Sequence, residues 1–174
     1  MSDAIRVGIS SCLLGNEVRY DGGHKLDCSL RDTLGAFVKW IPVCPEVEYG
    51  LLIPREALRL VGDPADPSVV TICSGVDHTA GMKSWAAKRL DVLAGEGLCG
   101  FVFKSRSPSC GICRIRVTAH ERGVPSDTGI GIFARAFMER FPLLPVEDED
   151  RLNDQALRES FIERLVQADC RPVR

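Results

Sequence analysis

The chain has 174 residues, 45% of them hydrophobic and 26% charged, with a formal net charge of −2. These values describe an ordinary globular protein with one sizeable core, and without a basic field no stable nucleic-acid binding is expected. No apolar run approaches the ~20 residues that span a bilayer, and "MSDAIRVGIS" lacks the pattern of a secretory leader. A cytoplasmic protein with no membrane partner is expected.

"IRVGIS" (5–10) reads as a first strand that breaks into the loop "SSCLLG". "VRYDGGHK" (18–25) is turn chemistry, because Asp-Gly-Gly offers positions of positive φ. From Ser29 onward, Leu30, Leu34, Phe37 and Val38 recur at helical spacing, with Asp27 or Ser29 as cap. "WIPVC" (40–44) predicts a second strand, and "PEVEYGLLIPR" an irregular loop with prolines at 45 and 54. "EALRLVGDPADP" holds a short segment and a turn, and "SVVTIC" (68–73) predicts a strand at a sheet edge. Over 77–97, Met82, Trp85, Ala86, Leu90 and Leu93 share one helical face, which Gly95 or Gly97 ends.

"CGFVFK" (99–104) is almost continuously apolar, the signature of a central parallel strand. "GICRIRVTA" alternates like a half-buried strand, and "SDTGIGIFARAFMERF" (126–141) predicts a helix capped by Ser126 or Asp127. "PLLPVEDEDRLND" reads as an acidic connector, and "DQALRESFIERLVQ" (154–167) as a closing helix. The order predicts an α/β domain: a mainly parallel sheet flanked by helices, layered in a Rossmann-like way. In such sheets ligands bind beyond the carboxyl ends of the strands.

Eight cysteines are many for this length. In a reducing compartment they point to metal binding, catalysis or packing, and disulfides are not expected. Cys12, Cys44 and Cys110 follow or end the strands "IRVGIS", "WIPVC" and "CGFVFK", so a parallel sheet brings them to one edge although 32 and 66 residues separate them. Hydroxyls, glycine, proline and an acid surround them, unlike a core. Three converging thiolates predict a soft metal site, either zinc with a fourth ligand or an iron–sulfur cluster. Cys28, Cys73, Cys99, Cys113 and Cys170 read as packing or surface residues. The Cys110–Cys113 spacing resembles a redox dithiol, but strand rather than helix follows Cys110, which removes the usual means of lowering its pKa.

The blocks "GISSCLLGNEVRYDGG", "PVCPEVEYGLLIPR" and "FVFKSRSPSCG" resemble, in this order, the signature of the thiouracil desulfidase (thiouridine desulfurase) family. The similarity covers about residues 5–140. "GIGIFARAFMERFPLLPVEDEDRLND" resembles the connector of longer relatives with a second helical domain, so a single-domain form is expected, with a catalytic domain over 1–142 and a connector and C-terminal helix over 143–174.

The resemblance implies a [4Fe-4S] cluster held by Cys12, Cys44 and Cys110, whose fourth iron has no protein ligand and captures sulfur. It implies release of hydrogen sulfide from a small thiolated uracil base or nucleoside, by net hydrolysis. It also implies an acid–base role for Glu46 and a serine role for Ser107 or Ser109. Arg55 or Lys104 can orient a carbonyl, and Tyr20, Asp21, Gly22 and Gly23 can face a pyrimidine edge or simply form a turn. Two rival readings are a thiol oxidoreductase using Cys110 and Cys113, and a zinc-binding module without turnover.

Overall fold

Uninterrupted apolar runs form strands where both sheet faces are covered, and that condition holds at the centre of this molecule. The computed structural model describes residues 4–119, 124–168 and 170. Its elements follow in the order β1 (Ile5–Ser10), α1 (Cys28–Thr33), β2 (Val38–Val43), α2 (Pro45–Tyr49), β3 (Leu58–Val61), β4 (Ser68–Thr71), α3 (Thr79–Gly95), β5 (Leu98–Phe103), β6 (Ile115–Thr118), β7 (Ser126–Gly129), α4 (Ile132–Arg140), β8 (Val146–Asp148) and α5 (Gln155–Gln167). The main sheet has the order β2-β1-β5-β8, and its pairs are parallel throughout. All six residues of β5 are buried, as its composition requires of a central strand.

One face of this sheet packs on α3 and α4 through Phe101, Phe103, Leu90, Leu93, Phe133 and Phe137. The other packs on α1 and α5 through Val7, Ile9, Val102, Leu30, Phe161 and Leu165. The result is the expected helix–sheet–helix layering. Phe101 stacks on Phe103 with centroids 4.1 Å apart and meets Phe137 edge-on at 4.9 Å; such pairs add about 0.5–1.5 kcal/mol each beyond buried area. Gly8 of β1 admits this stack, because a Cβ there would overlap the Phe101 ring.

A second, smaller sheet has the order β4-β3-β6-β7 and mixes parallel and antiparallel pairs. Leu58, Leu60, Val69, Ile115 and Val117 pack it against Met82 of α3 and Ile132 of α4. β4 lies at its edge, as predicted, and β6 alternates buried Ile115 and Val117 with exposed Arg116.

Four local readings are corrected. The stretch after Cys44 is not irregular but opens with the helix α2, which Pro45 starts and Gly50, at φ 120°, ends. The first helix stops at Thr33, and a 3-10 turn over Leu34–Ala36 leaves Phe37 71% exposed while Val38 begins β2. Residues 126–129 are strand β7, and α4 starts only after Gly131. The acidic connector supplies β8, the fourth strand of the main sheet.

One cysteine expectation also fails. Cys99 and Cys170 are joined by a disulfide with Cα atoms 4.7 Å apart. α5 carries the tail back across the sheet face where Cys99 is buried, which brings the two sulfurs together. No helix among the described residues is long and apolar enough to cross a membrane.

Candidate active site

Because β2, β1 and β5 are parallel neighbours, their carboxyl ends open on one edge. Cys12, Cys44 and Cys110 all line one cavity of about 360 Å³ there, together with Glu46, Ser107 and Ser109. Tyr20, Arg55 and Lys104 line the same cleft, whereas Asp21, Gly22 and Gly23 do not. Nor does Cys113, which is exposed, as are Cys28 and Cys73.

Each cysteine is placed by a different device. Cys12 sits in a 3-10 turn over Ser11–Leu14, closed by Gly15 at φ 90°, whose amide donates to the Cys12 carbonyl. Cys44 is the N-cap residue of α2 and makes no side-chain capping bond; its Sγ donates to Val18 O at 3.8 Å, and Glu48 accepts the Cys44 amide at 3.1 Å. Cys110 lies in a loop held by the start of α4. There the Ile132 amide donates to Pro108 O at 3.0 Å, Phe133 and Ala134 to Ser109 O at 3.0 and 3.2 Å, and Gly131 to Gly111 O at 2.7 Å. These are the N–H groups that a helix start leaves without partners. Gly131 is needed because a Cβ would lie 2.6 Å from the Ser109 carbonyl carbon.

Burial dominates the chemistry of the three thiols. It pushes Cys12 up to about 11, against a partial lowering by Lys104. Cys44 and Cys110 are raised by burial as well, and a hydrogen bond from Ser10 opposes the rise at Cys110. The three also raise one another electrostatically, which marks them as neighbours.

A second chain of contacts runs beside the sulfurs. Arg55 donates from Nε to Glu46 Oε2 at 2.8 Å, and its Nη2 stands 2.7 Å from the same oxygen. Ser109 Oγ donates to the other carboxylate oxygen at 2.9 Å. The two side chains of the ion pair are only 7% and 14% exposed, so the carboxylate is fixed in place. Ser107 Oγ accepts the amides of Ser109 at 3.2 Å and Cys110 at 3.1 Å, which shapes the loop around Cys110. The two serines therefore differ: Ser109 is committed to Glu46, whereas the Ser107 oxygen takes amides and its proton stays available.

Sequence reasoning missed the clamp that locks this loop from behind. Glu149, at the end of β8, accepts Lys104 Nζ, the Ser105 amide at 2.7 Å and Ser105 Oγ at 2.8 Å. Lys104 and Glu149 expose 13% and 8% of their side chains. Removing one partner of such a buried pair strands the other charge. Glu149→Ala should therefore lower stability by about 3–5 kcal/mol, read as a fall in the urea midpoint. An unchanged midpoint would show that the pair is dispensable.

Among the described residues, no three His, Cys, Asp or Glu side chains converge tightly enough for one metal ion. Three free cysteines in one cavity are the donor type of an iron–sulfur cluster and of a zinc site alike.

Residues 7–149 match the family model for 2-thiouracil desulfurase. The chain is 32% identical over 108 residues to the uncharacterized protein YbbK of Bacillus subtilis (strain 168), covering 59% of this chain and 71% of that protein. It also superposes on the solved structure titled "[4Fe-4S]-dependent thiouracil desulfidase TudS", with a TM-score of 0.70 and 34% identity, over 90% of this chain and 98% of that one. The chain belongs to the 2-thiouracil desulfurase family.

Proposed function

We propose that this protein removes the thiocarbonyl sulfur of a small thiolated pyrimidine, such as 2- or 4-thiouracil or its nucleoside. Water supplies the oxygen that replaces it, so a thiouracil and water give uracil and hydrogen sulfide. The observation that carries this reading is the meeting, in one cavity, of three free cysteines and a carboxylate pinned by Arg55 and Ser109. A [4Fe-4S] cluster held by Cys12, Cys44 and Cys110 would supply a soft Lewis acid matched to a thiocarbonyl sulfur.

The chain's own residues then have distinct tasks. Glu46 takes a proton from the attacking water at one carboxylate oxygen and returns it to the departing sulfur. Arg55 and Ser109 hold that carboxylate in a single position, so no reorientation is needed when the proton moves. Ser107, with its hydroxyl proton uncommitted, donates to a ring heteroatom of the substrate. Lys104 cannot serve as that donor, because its ammonium is taken up by Glu149 and Ser105. An oxygen-sensitive cluster would suit a reducing cytoplasm, and the charge of −2 favours free bases and nucleosides over nucleic acid.

The test compares sulfide release from thiouracil, thiouridine, thiouridine monophosphate and thiolated tRNA at ~50 and ~200 mM salt, a range over which phosphate-driven binding collapses. Rapid release from the base or nucleoside, with little salt dependence, is expected. Fast, salt-sensitive release from tRNA with none from the free compounds would overturn the substrate assignment.

A further inference from the structure

Four cations stand on the cavity wall: Arg19, Arg55, Lys104 and Arg106. Their donors are not equally committed. Lys104 has three N–H donors, and their acceptors are Glu149, Ser105 O at 3.1 Å and Ser105 Oγ at 3.0 Å. Arg55 holds Glu46, Val18 O at 2.9 Å and Leu52 O at 3.3 Å. Arg106 is 79% exposed and paired with Asp150.

Arg19 differs from all three. Its Nε stands 3.5 Å from Asp21 Oδ1, and its guanidinium carbon lies 5.4 Å from the centre of the Tyr20 ring. Its side chain is only 22% exposed, yet among the described residues neither terminal nitrogen has a hydrogen-bond acceptor. The backbone beneath it is fixed. The Arg19 amide donates to Gly23 O at 3.2 Å, the Gly22 amide to Arg19 O at 3.0 Å and the Arg55 amide to Tyr20 O at 2.8 Å. Gly22, at φ 80°, makes that turn possible. Arg19 lines the same cavity as the three cysteines, and its side chain is far less exposed than that of Arg106.

A half-buried, oriented guanidinium with idle terminal donors is built to receive an acceptor oxygen. We propose that Arg19 is a specificity-determining residue, whose terminal N–H groups grip the ring carbonyl oxygen of a thiolated pyrimidine lying sulfur-first against the cysteines. This rests on the desulfidation reading for the substrate but not for the binding of the ring. 2-Thiocytosine, which presents an amino donor where 2-thiouracil presents a carbonyl, sets donor against donor and is rejected.

The test uses Arg19→Met and Arg19→Lys in the cluster-loaded chain. Loss of a charge-assisted hydrogen bond raises KM for 2-thiouracil roughly 10- to 100-fold, with kcat within about threefold and iron content unchanged. Lysine, which keeps the charge but loses the planar fork, gives an intermediate KM. The preference for 2-thiouracil over 2-thiocytosine narrows in Arg19→Met. An unchanged KM, a loss of iron, or a rise confined to thiouridine monophosphate would each overturn the assignment, the last because it marks a phosphate contact. A binding titration with uracil separates the two readings. If the wild type releases no sulfide from any thiolated base yet binds uracil at least ~10-fold more tightly than Arg19→Met, desulfidation falls and the Arg19 assignment stands.

Discussion

Cys12→Ser, Cys44→Ser and Cys110→Ser are each expected to purify with little or no iron and without desulfidase activity. The reason is positional. These three cysteines line the cavity at the carboxyl edge of the main sheet, and their side chains are free. A serine oxygen is a harder and far less acidic ligand than thiolate, so one replacement leaves the cluster two thiolates. Cys113→Ser and Cys73→Ser should keep full iron content, because both residues are exposed and neither lines the cavity. Iron per chain, measured after anaerobic purification, decides between the outcomes. If Cys113→Ser loses the cluster while Cys110→Ser keeps it, the ligand assignment is wrong, and the dithiol reading of Cys110 and Cys113 gains ground.

Glu46→Gln is expected to keep iron and colour while its turnover falls about 10²–10⁴-fold, the usual weight of a positioned acid–base group. Glutamine preserves the shape of the side chain, but its single oxygen can accept from Arg55 or from Ser109 where Glu46 accepts from both, and its amide cannot carry the transferred proton. The exchange leaves the Arg55 guanidinium, 7% exposed, without its counter-ion, so thermal unfolding must be followed alongside activity. A folded, iron-replete Glu46→Gln variant with near-normal turnover would remove Glu46 from the proton path. Ser109→Ala should lower turnover through the same carboxylate, since the Ser109 hydroxyl bonds Glu46 at 2.9 Å.

That Cys12, Cys44 and Cys110 share one cavity was legible because the reason is topological. A strand-end cysteine is visible in one dimension wherever an apolar run gives way to glycine, serine or proline, and the order β2-β1-β5 makes Cys12, Cys44 and Cys110 neighbours. The supports around them were not legible, because their partners are distant in sequence. Glu149 bonds Ser105 across 44 residues, and Ser109 reaches Glu46 across 63.

Acid-rich stretches usually signal solvent, and that inference misread "VEDED". Glu147, Asp148 and Glu149 are 5–7% exposed, and arginines or the Lys104 cation offset two of them: Glu147 takes Arg151 and Arg164, and Glu149 takes Lys104. Two other errors had signals in the sequence. Pro45 and Gly50 bracket α2 as start and stop residues. The glycines at 129 and 131 mark where β7 ends and α4 begins, and the stronger-looking caps at Ser126 and Asp127 obscured them. The Cys99–Cys170 bond had no signal, since it depends on where α5 carries the tail.

The most direct test of the whole account is to purify the chain without oxygen, count its iron and acid-labile sulfide, and follow one substrate through turnover. The account predicts a brown protein with about four iron and four sulfide per chain, which converts 4-thiouracil to uracil and sulfide in equal amounts. A colourless protein that holds zinc, or an iron-loaded one that leaves 4-thiouracil and 2-thiouracil unchanged, would contradict it.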